Sequence, residues 1–303
     1  MADPPPTPTL IAGISGPSSS GKTTLARLLR QIFNLSTPQI SLHLFILHED
    51  DFYKTDTLIP RKTFTSSSGH GTRELDDWDC VDSLDLPLLE RVMTHVRDHG
   101  TLPSDFASKE DENTIGESGV PDHVVEAYKA EVTHWLQQLP VLGPRSSSTL
   151  TICLLDGFLL FPDPTSESHL HTILAPLLRL KLFIPSTRTQ TIARRTKRTG
   201  YVTLEGFWAD PPGYVEDVVW PNYARDHAWL FKDSSTDATQ AEGVDGGRVN
   251  RDIAAGSGIL VGPGCGEAHL GEILPWAVER VREVVGRDVI GREMRGLMRG
   301  AGG

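Results

Sequence analysis

An α/β fold, with a mainly parallel sheet sandwiched by helices, is predicted by three features of this 303-residue sequence. Short apolar runs recur along it, at Thr9–Ser15, Ser41–Leu47, Thr149–Phe161, Leu180–Pro185 and in GILVGPG from Gly258. Their lengths suit buried strands. Segments with helical apolar spacing alternate with them, which is the pattern of a parallel sheet. The first run also leads through a Gly/Ser turn straight into LARLLRQIF, where Leu25, Leu28, Leu29 and Ile32 recur at helical spacing.

Taken in order, the first eight residues hold four prolines and read as a disordered tail. The second strand ends in HEDDFYK, and the polar stretch Ile59–Asp77 reads as a surface loop. Leu84, Leu88, Val92 and Val96 predict an amphipathic helix over Val81–Val96. Thr101–Val120 has the composition of disorder, and a helix follows over His123–Leu139. The run from Thr149 reads as a fully buried strand that runs out at Asp156–Gly157. TRTQTIARRTKRTGY reads as a basic helix ending at Gly200, and Asp210–Asp226 as a loop leading into another helix. Lys232–Gly258 is a polar insertion expected to be mobile, and a closing helix runs from about Glu267 to Val285. The expected organisation is one domain over 9–290. It carries a mobile helical lid at about 187–223 and insertions at about 60–77, 101–122 and 232–258, with a flexible tail at 291–303.

Acidic residues number 40 and basic ones 29, a net charge of −11. With no long Lys/Arg block, such a chain is a poor binder of nucleic acid or anionic membranes. Three cysteines without metal spacing suit a reducing compartment. The sequence shows neither a signal-peptide pattern nor an apolar run of membrane-spanning length. A cytoplasmic location is expected. The histidines form no metal-binding spacing, and His43 and His48 read as strand-edge residues rather than ligands.

Chemistry enters with Gly16-Pro17-Ser18-Ser19-Ser20-Gly21-Lys22-Thr23, followed by Thr24, which satisfies G-x4-G-K-[ST]. The glycines let successive N–H groups converge on phosphate oxygens, and the following helix adds its positive end. In this pattern the lysine reaches the β/γ-phosphates and the hydroxyl after it binds Mg²⁺. A P-loop NTPase fold that binds ATP with Mg²⁺ is therefore expected. Asp156, at the carboxyl edge of a buried strand, stands where such a sheet holds the metal or its water.

A phosphate loop alone does not separate kinases from switches, and an N-K-x-D guanine motif is absent. Asp50 and Asp51 follow the second strand, beside the loop, where an acceptor hydroxyl must enter. A carboxylate there accepts the hydroxyl proton and aims the oxygen; its ordinary pKa of about 3.9 keeps it ionised. Arg194, Arg195 and Arg198 follow at i, i+1, i+4, suited to clamping phosphoryl oxygens from a mobile lid. Together these predict phosphotransfer to a small hydroxyl acceptor.

GISGPSSSGKTTLA, HEDDFYK, DWDCVDSLD, LLDGFLLF, RRTKR-GY and DPPGYVEDVVWPNY occur in the order and rough spacing of the nicotinamide riboside kinases. The chain thus resembles that family, within the uridine kinase-like P-loop enzymes, over about Leu10 to Tyr223. The resemblance implies transfer of the ATP γ-phosphate to the ribose 5′-hydroxyl of nicotinamide riboside, giving nicotinamide mononucleotide for NAD synthesis. It implies Asp50 as catalytic base and Thr23, Asp50 and Asp156 around Mg²⁺. Lys22 and Arg195 act in catalysis, Arg195 also touching substrate, while Arg194 and Arg198 hold the ATP phosphates. Asp51, Phe52 and Tyr53 join Asp50 on the substrate side. Asp79 falls where the family holds the ribose hydroxyls, and Trp78 and Tyr201 where it places an aromatic pair around the nicotinamide ring, a pairing that suits a cationic ring. Cys265 and Gly266 fall beside ATP. The chain departs from its relatives in having Asp156 where some have Glu, Trp78 for the commoner Tyr, and one extra residue before Tyr201.

Two other readings stand beside this one: a uridine/cytidine-type or other nucleoside kinase, and a nucleotide-binding regulatory module without catalysis. Lys22, Thr23, Asp50 and Asp156 together argue against the module, which has no need of a proton acceptor. The partners expected are ATP and a small nucleoside, with monomer and homodimer both open.

Overall fold

The computed structural model describes residues 9–66, 69–108, 116–139, 148–198, 200–202, 206–231 and 249–300. Strand β1 (Leu10–Ser15) runs into a glycine-rich turn, from which α1 (Lys22–Phe33) departs. Short β2 (Leu35–Ser36) and long β3 (Ile40–His48) follow, then a hairpin of β4 (Arg61–Thr65) and β5 (Thr72–Asp76). Helices α2 (Leu86–His99) and α3 (Asp122–Gln138) precede β6 (Ser148–Gly157), and α4 (His169–Leu174) precedes β7 (Leu180–Phe183). Next come α5 (Arg188–Arg195) and a ribbon of β8 (Tyr201–Val202) and β9 (Phe207–Trp208). A π-helical turn at Val215–Val219 runs into α6 (Trp220–Asp226). Helix α7 (Arg251–Gly256), β10 (Ile259–Val261) and α8 (Leu270–Gly300) complete the order.

The central sheet runs β10-β7-β1-β6-β3-β2 and is parallel except for edge strand β2. Strand β1 is apolar almost throughout because helices cover both sheet faces. Its Leu10, Ala12 and Ile14 join α1, α3 and α8 in one core, while Ile11 joins α2, α4 and α6 in the other. The register sets Asp156 of β6 level with Ile14 on one side and His48 on the other. The turn after β1, the segment after β3 and the end of β6 therefore meet at one edge of the sheet.

Several elements differ from the sequence expectation. The stretch read as a loop at Ile59–Asp77 is the β4–β5 hairpin, paired from Arg61↔Asp76 to Thr65↔Thr72. Its inward Phe64 and Leu75 pack on a small core around Tyr214 and Val218, so one apolar residue per strand suffices. Helix α2 starts at Leu86, since the Asp85 carboxylate caps it by accepting from Leu88 N at 3.0 Å and Pro87 fits its first turn. Helix α5 ends at Arg195, so Arg198 stands on the following turn, its N–H donating to Arg195 O at 3.0 Å.

Helix α4, capped by Ser168, was not foreseen. Helix α7 replaces the end of the polar insertion, capped by the Asn250 side chain; residues 232–248 lie outside the described residues, as do 1–8, 109–115 and 301–303. Helix α8 continues to Gly300 instead of giving way to a tail. It passes through Gly286, where a Cβ would stand 3.3 Å from the Trp135 ring, so this glycine serves close helix packing. Among the described residues no helix is long and apolar enough to cross a membrane.

Candidate active site

The phosphate loop is shaped by glycines at positions closed to other residues. Gly16 has φ +151, and a Cβ there would sit 2.2 Å from the Ile184 carbonyl oxygen. Gly21, at φ +95, starts α1. The buried Lys22 Nζ donates to the Pro17 carbonyl at 2.9 Å, spanning the loop. Burial lowers its pKa, opposed by the charges of Asp156 and Asp50. Thr23 Oγ1 donates to Asp156 Oδ2 at 2.5 Å, and His48 Nδ1 lies 3.3 Å from the same oxygen. Burial alone would raise the Asp156 carboxyl, but the His48 hydrogen bond and the Lys22 charge bring it below its ordinary value. Asp50 behaves oppositely: burial and then the Asp156 charge push its pKa up. The expectation of an ordinary Asp50 pKa is thus corrected, because the half-buried side chain stands beside a second carboxylate. Its neighbour Glu49 points inward, Oε2 accepting from Phe158 N at 2.6 Å and Leu159 N at 3.0 Å, and burial pushes its pKa to about 8.

Lys22, Thr23, His48, Asp50 and Asp156 open into a cavity of about 730 Å³. Away from the loop its wall is aromatic. Trp78 meets Tyr53 edge-on at 5.2 Å between ring centroids and Trp208 at 5.6 Å, and Tyr53 stacks with Phe158 at 6.4 Å. Beside them Arg195 bridges two carboxylates. Its Nη1 and Nη2 donate to Asp79 at 3.0 and 3.2 Å, and its Nε and Nη2 donate to Asp210 at 2.7 and 3.1 Å. Asp79 is pushed up to about 6, by burial first, with Arg195 opposing. The Tyr214 hydroxyl accepts from Trp78 N at 3.1 Å and donates to the Asp76 carbonyl at 2.9 Å, fixing the backbone that carries Trp78 and Asp79.

The nicotinamide riboside kinase of Schizosaccharomyces pombe is 34% identical over 224 residues, covering 74% of this chain and 81% of that protein. The chain belongs to the nicotinamide riboside kinase family. Relatives of the same name from Eremothecium gossypii and Saccharomyces cerevisiae are 29% and 26% identical, across 78% and 79% of their lengths. No protein-family model matches the chain. Among solved structures, a putative fructose transport system kinase from Silicibacter overlaps at TM-score 0.34 and 14% identity, covering 65% of this chain and 74% of that one. A possible uridine kinase from Bacillus stearothermophilus gives 0.32 and 16%, covering 62% and 76%.

Of the residues the family resemblance pointed to, the cavity wall gathers Ser18 to Thr24, Asp50, Tyr53, Trp78, Asp79, Asp156, Arg194, Arg195 and Arg198. Gly16 and Pro17 are not in the wall: the first fits the loop against Ile184, the second is held by Lys22. Asp51 turns away to accept from the Ser108 hydroxyl at 2.9 Å, and Phe52 is buried against Phe106. Cys265 and Gly266 are not in the wall either; the start of α8, with Ala268, His269, Leu270 and Ile273, takes that place. The side chain of Tyr201 lies outside the described residues, and Trp208 of β9 is the aromatic beside Trp78. Sequence reasoning missed His48, Glu49, Phe158, Trp208 and Asp210. Of these, Phe158 lies inside LLDGFLLF, and His48 ends the strand that leads to Asp50, a position that marks it as a site residue.

Proposed function

We propose that this chain transfers the γ-phosphate of ATP to the ribose 5′-hydroxyl of nicotinamide riboside, giving nicotinamide mononucleotide, a precursor of NAD. The observation that carries this reading is one cavity with a phosphate loop at one part of its wall, an aromatic and carboxylate-lined part elsewhere, and Asp50 in the same wall. Asp50 accepts the hydroxyl proton from its place in the same wall as the phosphate loop. Lys22, Arg194 and Arg198 neutralise charge on the phosphates, and Asp79 holds the ribose hydroxyls. Trp78 and Trp208, packed on each other, line the place of the nicotinamide ring, while His269, Leu270 and Ile273 seat the adenine.

The donor set fits Mg²⁺. A hydroxyl and carboxylates are hard oxygen ligands, and Mg²⁺ in nucleotide sites takes only one or two carboxylates beside phosphate oxygens. That agrees with the lack, among the described residues, of any cluster of three His, Cys, Asp or Glu able to hold a metal alone. Thr23, Asp156 and Asp50 would hold the ion, which when bound supplies charge neutralisation for the transferring group. Residues 187–223 act as the lid that excludes water.

The test is Mg²⁺-dependent ADP release from ATP with nicotinamide riboside, with uridine and with no acceptor, products identified by mass. Nicotinamide mononucleotide formed well ahead of uridine monophosphate is the expected result. Uridine in front would sink the acceptor assignment, and acceptor-independent ADP release would sink kinase function.

A further inference from the structure

Arg195, only 6% exposed, is shared between Asp79 and Asp210. One carboxylate would neutralise one guanidinium; here there are two. Asp210 Oδ1 also accepts from Trp208 Nε1 at 3.0 Å, which sets its charge at the edge of the indole wall. The nearby hydroxyls of Tyr53 and Tyr214 are kept protonated by burial, and Asp77 is already paired with Lys62 at 2.7 Å. Lys22 and Arg198 act on Asp50, by the phosphate loop. The trio Asp79–Arg195–Asp210 therefore holds one negative charge more than its own cation balances, at the Nε1 edge of the Trp208 indole.

We infer that Asp210 is a specificity-determining residue that selects acceptor nucleosides by the positive charge of their ring. A cationic planar ring gains from the indole faces and from the second carboxylate together, whereas a neutral ring of equal shape gains little from either. Asp210 has a positioning role as well, since the same carboxylate orients Arg195 and the Trp208 indole. The inference rests on the nucleoside-kinase reading above and adds to it what discriminates among nucleosides.

The experiment compares nicotinamide riboside with benzamide riboside, which has the same outline and a neutral ring. Binding is followed by quenching of tryptophan fluorescence, and kcat/KM is measured for both. Wild type, Asp210→Asn and Asp210→Glu are used, with thermal melts to show that each folds. Asp210→Asn keeps an acceptor for Trp208 and removes the charge. It should weaken the cationic ligand roughly tenfold more than the neutral one, as expected for one charge several ångströms away at intermediate dielectric, any loss that comes through Arg195 or Trp208 being common to both ligands. Asp210→Glu should restore the preference. Equal weakening of both ligands, or of neither, would overturn the charge assignment. The reading beneath it fails by a separate sign: a wild type that neither binds nor phosphorylates nicotinamide riboside, in which case the inference falls with it.

Discussion

His227 gives this protein a calculable sensitivity to acid. The imidazole is 1% exposed, with Tyr223 and Phe183 at 4.6 and 5.7 Å between ring centroids. Its Nδ1 lies 3.1 Å from the Tyr223 carbonyl, to which it donates, leaving Nε2 without a partner among the described residues. A second proton there would put a charge into an apolar site, and burial lowers the pKa from 6.5 to about 4. Above 6.5 neither the folded nor the unfolded chain carries the proton, so stability is complete. As pH falls through that value the unfolded chain takes up the proton first, and stability drains away until the folded chain titrates near 4.

The whole interval is worth about 3 kcal/mol, and the part between pH 7.5 and 5 about 2 kcal/mol. His227→Phe keeps the ring contacts and cannot titrate; the Tyr223 carbonyl still accepts the backbone N–H of residue 227 at 3.0 Å. Urea unfolding followed by circular dichroism at pH 7.5 and 5.0 should show wild type losing about 2 kcal/mol more than the variant. Parallel losses in the two proteins would refute the assignment.

Three further outcomes are expected. Asp50→Asn should cut turnover about 100-fold or more while ATP affinity, read by nucleotide titration, stays near wild type; unchanged turnover would remove Asp50 from its role. Trp208→Ala should raise the KM for the nucleoside more than it lowers kcat, whereas a purely structural Trp208 would lower the melting temperature and leave KM alone. Gly16→Ala forces a Cβ against the Ile184 carbonyl and should cost nucleotide binding together with about 2 kcal/mol or more of stability; a variant that binds ATP normally would show that the loop can shift.

The phosphate loop was legible in the sequence because a backbone cradle can be built from few residue types, so Gly16, Gly21, Lys22 and Thr23 had to stand where they do. Asp156 was legible for a related reason: an acid ending a run as apolar as TICLL marks a strand end. Trp208 and Asp210 left no such mark. Trp208 reaches Trp78 across more than a hundred residues, and Asp210 reaches Asp79 only through Arg195, 116 residues from Asp79; nothing local to FWAD announces either. Glu49 was hidden differently, inside an acidic run that looks solvated; its burial depends on the two backbone N–H groups after Gly157. Helix α8 was cut short at Gly286, where the local cost of glycine in a helix is outweighed by packing on Trp135.

The β4–β5 hairpin leads directly into Asp77, Trp78 and Asp79, and three ties fasten it to the segment from Tyr214 to Asn222. These are Tyr214 to Asp76, Arg73 to Asp217 at 3.3 Å, and Asn222 to Asp77 at 2.7 Å. Its far end is a different place: Gly69 and Gly71 have open space where a side chain would go. The hairpin is thus held along its strands as far as Phe64 and Arg73, one pair short of the turn, and opens to free space at Gly69 and Gly71. A reporter group or short peptide spliced at those two glycines would ride on the protein without reaching the end that carries Trp78 and Asp79, which makes the hairpin a natural handle for immobilising or labelling the enzyme.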